Sequence, residues 1–193
     1  MRHSTYARLV VAAIAAAAAL SAVPSATQAA SWGVLGSRHT LTSQNLSFSV
    51  GAPISGGTVC GQVTLEADVR SARVVTVTSA SFTGCVGTGS YAGCTGTVAA
   101  TALPWSVTGI TTSNITIDGF NLDWLWEGAT GCSQNGQKIQ STGTLSGGVW
   151  SGASHHVTFT GATGTTDHFA GLGSFPETVT GTLRDDQQTL TLG

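Results

Sequence analysis

A chain of 193 residues with 41% hydrophobic and only 8% charged side chains, at a formal net charge of −2, has the length of one domain. No Lys/Arg cluster is present to neutralise phosphates, so nucleic acid is not an expected partner. The low charge also sets it apart from disordered chains, which combine high net charge with few apolar residues.

Arg2 and Arg8 precede an unbroken apolar run from Leu9 to Leu20, and Ala26-Thr27-Gln28-Ala29-Ala30 follows Pro24. That order is the pattern of a secretory signal peptide cut near Ala29 or Ala30. The run is about 12 residues, short of the roughly 20 that a spanning helix needs. Arg2 and Arg8 are not adjacent, so the twin-arginine pair is missing. The expectation is a signal-peptide helix over residues 1–30 and an exported all-β domain over 31–193. Delivery would follow the general secretory route to the extracellular space, with no stable membrane insertion after cleavage.

The strand signals run in order. Leu46, Phe48 and Val50 alternate with Ser47 and Ser49. Val59, Val63, Leu65, Ala67 and Val69 form one face of the longest alternation. Cys60 falls on its polar parity, so either Gly61 is a bulge that switches the face or Cys60 lies outside the core. From Arg73 to Phe82 the parity changes midway, again as a bulge would. Thr97–Leu103 and Trp105–Ile110 read as one strand broken, or bent, at Pro104, at an edge or a corner, since proline lacks the donor that a central ladder needs. Ile115 and Ile117 are followed by Gly119, which shifts the phase to Phe120, Leu122, Trp124 and Trp126. Asn135-Gly136 is a turn signal. Thr142–Trp150, His156–Thr160, and a closing hairpin of Glu177–Leu183 with Thr189–Leu192 complete the count. The sum is a single antiparallel β-sandwich or barrel of about nine to ten strands.

Cys60, Cys85, Cys94 and Cys132 form an even set in an exported chain, which reads as two disulfides. Three pairings are possible. Cys85 with Cys94 suits a pinched turn and leaves Cys60 with Cys132. The spacings are not those of a zinc site.

Chemistry is sparse. Asp118, Asp123 and Glu127 could serve as carboxylates for glycoside hydrolysis, but plain alternation explains them as a solvated strand face. His155-His156, with Asp167 and His168, could suggest a metal or an acid/base pair. Adjacent strand residues point to opposite faces, so no metal site is expected. Ser154 has no G-x-S-x-G elbow around it. No catalytic residue and no cofactor are therefore assigned. Tyr91, Trp105, Trp124 and Trp126 remain as a possible ligand surface if exposed, or as core if buried. Tyr91 sits at the tip of the loop Val86–Gly93, the part freest to form a site.

Phe82-Thr83-Gly84-Cys85, then Cys94, then Leu103-Pro104-Trp105 resembles a group of small Thr/Gly-rich exported proteins of actinobacterial type. That group has no established activity, so the resemblance implies an exported β-rich domain and carries over no site residue. The expected function is a non-enzymatic binding or structural protein of the cell exterior, with a cell-envelope or carbohydrate ligand. The alternatives are a polysaccharide hydrolase or carbohydrate-binding module, and an outer-membrane β-barrel.

Overall fold

The computed structural model describes residues 31–111, 113–128, 130–169 and 173–193; the expected signal segment, 1–30, lies outside them. The described residues contain no helix. They form ten strands: β1 (Arg38–Ser43), β2 (Leu46–Val50), β3 (Gly56–Ser71), β4 (Val74–Gly89), β5 (Thr95–Ala100), β6 (Trp105–Gly109), β7 (Asn114–Glu127), β8 (Lys138–Ser151), β9 (His156–Phe169) and β10 (Gly173–Asp185). Every pairing is antiparallel.

The choice between sandwich and barrel falls to a barrel. β1 and β2 lie in line, both between β3 and β10; β5 and β6 lie in line between β4 and β7. The ten strands thus occupy eight positions around a closed cylinder. At that size the interior is just wide enough for side chains to fill it. Alternation fills it with Phe48, Val63, Leu65, Phe82, Leu122, Phe159 and Val179, all buried. Outward positions of the same strands carry Thr40, Thr64, Thr116, Gln140, Thr158 and Thr178, so the outer wall is hydroxyl-rich.

Three irregularities expected from parity are present. β3 and β4 slip register opposite Glu66/Ala67, which carries the inward set from Val75 and Val77 to Phe82. β7 slips between Ile117 and Phe120 against β8, where Gly119 takes φ +75°, a region open to glycine without the Cβ penalty. The stave of β5 and β6 breaks before Trp105, and Pro104 marks the corner. The C-terminal hairpin does not form. Residues 189–192 instead cross the barrel end, joined to Trp32 by a single bridge at Leu192.

Two disulfides form as expected, but their connectivity differs: Cys60–Cys85 and Cys94–Cys132. Gly61 and Gln62 both turn outward, so the face switches there and Cys60 points inward. It then stands opposite Cys85 in the β3–β4 register, where facing Cβ atoms are about 5 Å apart. Cys94, past the end of that ladder, meets Cys132 in the loop between β7 and β8. Two disulfides agree with an oxidising compartment. Replacing Cys94 and Cys132 together by Ser should cost about 2–4 kcal/mol, because their bond closes a sequence separation of 38. Denaturant melts with the β3–β4 bridge left intact would measure it. A loss below about 1 kcal/mol would mean that loop packing alone fixes this end.

Candidate functional site

The four aromatic residues considered as a ligand surface all lie inside. Trp105 is 1% exposed and Tyr91 2%, and Trp124 and Trp126 are equally enclosed. Tyr91 is not a loop tip. Its ring folds over the barrel mouth and stacks on Trp126 at 4.9 Å, and Trp126 stacks on Trp124 at 6.0 Å. Gly56 makes the room: a Cβ there would sit 2.5 Å from the Tyr91 ring. Asp118, Asp123 and Glu127 stand on the outer wall, where Thr144 donates to Asp118 at 2.9 Å and Gln140 to Asp123 at 2.9 Å. They do not share a cleft. His155 Nδ1 lies 3.0 Å from the Leu190 carbonyl and His156 Nδ1 3.4 Å from that of Ser154. Asp167 is buried within the barrel and His155 and His156 are not; the His168 side chain lies outside the described residues.

Beneath the Tyr91 lid lies a polar cluster inside the barrel. Ser141, Thr165, Asp167 and Glu177 are all buried. The Trp124 indole N–H donates to Ser141 Oγ at 2.8 Å, and the Ser141 hydroxyl donates to Asp167 Oδ1. Ser141 Oγ is also 3.3 Å from Glu177 Oε1. A hydroxyl has one hydrogen, so with that hydrogen on Asp167 the second contact is satisfied when Glu177 is the donor. Burial first, and the neighbouring Asp167 charge second, push the Glu177 carboxyl well above the usual carboxylate range. Burial, followed by the charges of Asp167 and Glu177, likewise pushes the Tyr91 phenol up. Glu177 Oε2 has no hydrogen-bond partner among the described residues. The adjoining void is about 10 Å³, room for one water. The cluster therefore stores a proton on a carboxyl pair but offers no space to a ligand.

Space for a ligand exists on the outer wall. The ladder between β10 and the β1–β2 stave runs through Thr42↔Arg184 and resumes at Ser47↔Thr180. Between these pairs the stave has one residue more than β10, and the two part. The resulting depression is about 500 Å³, lined by Thr42, Ser43, Gln44, Asn45, Thr182 and Arg184. That volume is in the range of small-molecule sites. Its floor is hydroxyl, amide and peptide groups. Arg184 is exposed and makes no ion pair among the described residues.

A second buried polar network lies at the end where residues 31–33 meet residues 191–193. His39 Nδ1 is 3.3 Å from Asp185 Oδ1, and His39 Nε2 is 2.8 Å from Ser37 Oγ. The backbone N–H groups of Thr189 and Leu190 donate to Asp185 Oδ2 at 2.8 and 2.7 Å. Burial raises the Asp185 carboxyl pKa, but these N–H donors and His39 outweigh it and hold the group below its usual range.

Sequence reasoning missed Glu177, Ser37, His39, Asp185 and Arg184. Parity could have found three of them. Glu177 shares the inward phase of Val179 and Leu183, Asp185 continues it, and His39 shares that of Leu41. Comparison with family models, with curated proteins and with solved structures returns no match.

Proposed function

We propose that the mature chain is an exported protein of the cell exterior that works by binding at its outer wall, with no catalysis in its sealed core. The single observation behind this reading is the contrast between the two faces. The interior is filled and lidded, while the outer wall carries a hydroxyl-rich surface with an open depression beside Arg184, which makes no ion pair among the described residues. Hydroxyls, amides and one guanidinium suit a hydroxylated ligand bearing a carboxylate or phosphate, as in acidic envelope polysaccharides. The signal-like start of the chain, the two disulfides and the resemblance to small exported Thr/Gly-rich proteins support the compartment.

The alternatives draw less support. The candidate carboxylates for glycoside hydrolysis, Asp118, Asp123 and Glu127, stand exposed on the outer wall. A membrane barrel needs an apolar outward band with aromatic girdles, and here most of the described aromatic side chains are buried inside, while outward positions carry Thr40, Thr64, Thr116 and Thr158.

The test is a glycan array with the mature protein, followed by titration of the best binder. An acidic polysaccharide should bind, and Arg184→Ala should weaken it at least tenfold with an unchanged melting temperature. Binding that survives Arg184→Ala and Gln44→Ala together would remove the depression as the site, and no binding to any acidic glycan would remove the reading.

A further inference from the structure

We propose that Ser37, His39 and Asp185 form a nucleophile, base and positioning residue that accept a short acyl group from an ester at the rim of the barrel. This goes beyond the binding reading above and does not depend on it. The geometry lines up a serine, a histidine and an aspartate. Ser37 Oγ lies within hydrogen-bond reach of His39 Nε2 at 2.8 Å, and the other ring nitrogen faces Asp185 Oδ1 at 3.3 Å. A nucleophile bonded to a base, itself oriented by a third group, is the arrangement that activates serine on unrelated folds. Asp185 is rigidly held, since its second oxygen accepts two backbone N–H groups. His39 is 3% exposed, and its Nε2 faces the half-buried Ser37 at the rim.

The surroundings favour an acyl donor. Ser37 closes the turn of residues 33–37, half-buried, at the rim rather than in the core. Val34 and Leu35 in the same turn are 76% and 68% exposed, the two most exposed large apolar side chains described. They give a short acyl chain an apolar rest beside the hydroxyl. Gly36 between them and Ser37 leaves open space on its outer side.

The step is an ordinary acyl transfer. Ser37 Oγ attacks the ester carbonyl carbon while its proton moves to His39 Nε2. The carbon–oxygen bond to the leaving group then breaks, and His39 returns the proton to the departing alkoxide. Water attacks the acyl-serine with His39 as base and releases the acid. Two features limit the rate. The Ser37 hydroxyl donates to the Val34 carbonyl at 2.6 Å, so its one hydrogen must leave that bond before it can pass to His39. The N–H groups of Gly36 and Ser37 are engaged by Val69 and Val34, so neither stabilises an oxyanion. The expected acceleration is that of the base alone, about 10²–10⁴.

The experiment incubates the disulfide-bonded mature protein with p-nitrophenyl acetate and follows p-nitrophenolate release with intact mass and peptide mapping. Acetyl on Ser37, or turnover that disappears in Ser37→Ala, is the expected result. His39→Gln should slow acylation at least a hundredfold. Asp185→Asn should slow it and change its pH profile, which a purely structural carboxylate would not do. Melting curves of each variant confirm folding, and Ser37→Ala, in an exposed turn, serves as the reference if the buried variants unfold. No acetyl on Ser37 together with release equal to that of Ser37→Ala overturns the proposal. So does a folded His39→Gln protein that reacts at the native rate.

Discussion

Trp105→Ala should lower the stability of the barrel by about 3–5 kcal/mol, and at this size the melting temperature should fall by roughly 2–4 °C for each kcal/mol. Trp105 is 1% exposed, sits at the first position of β6 opposite Val77 and lies 5.0 Å from the Phe120 ring. Its indole N–H donates to the Thr101 carbonyl at 3.1 Å. One side chain thus fills the core and binds the segment between β5 and β6 back onto the stave. Truncation removes both effects, because the rigid barrel wall limits collapse into the vacated volume. Thr108→Ala, on the outward parity of the same strand, should change stability by less than about 0.5 kcal/mol. Guanidinium melts of both variants give the comparison. Equal losses would mean that Trp105 is not the structural centre of the corner.

That corner was legible because Pro104 and the apolar residue after it are local signals. The same holds for the all-β class, the bulges at Gly119 and before Phe82, and the even cysteine count. What was not legible depended on closure. Whether the strands stack as two sheets or close on themselves is decided by the pairing of β10 with β1 and β2, across nearly the whole chain, and no local period encodes it. The disulfide connectivity failed for a related reason. Cys85 and Cys94 are near in sequence, but the β3–β4 register, continuous from Gly56↔Gly89 to Glu66↔Ser79, places Cys60 opposite Cys85. Tyr91 looked like an exposed tip because its loop is polar. It turns inward because Trp126 offers a stacking face and Gly56 offers the space. The inward polar residues share the parity of the apolar face, and a period of two marks a position as inward without saying whether a Glu or His there is part of the core.

Glu177 should give this protein a stability that declines as pH rises, the reverse of an ordinary paired carboxylate. In the folded chain burial, and then Asp167, hold its pKa well above the usual range; in the unfolded chain it returns to about 4.3. Between those two values the folded state keeps the proton and the unfolded state loses it. Unfolding then releases a proton, so stability falls by about 1.4 kcal/mol per pH unit across the window and levels off above the folded pKa. Asp185 has the opposite sign. Its folded pKa is depressed, so its contribution is complete above the unfolded carboxylate range and is lost as pH falls through the folded value. The two windows do not coincide: Asp185 acts in acid, whereas the Glu177 effect spans mildly acid pH and above. Glu177→Gln should therefore flatten the profile on the upper side and leave the acid limb unchanged. A neutral amide keeps a donor for Ser141 and removes the charge that deprotonation would bury beside Asp167. The variant should match the native protein near pH 4 and exceed it progressively at higher pH. Urea melts at intervals from pH 3 to pH 9, on both proteins, measure the difference directly. Parallel profiles would show that Glu177 ionises in the folded barrel as it does in the unfolded chain.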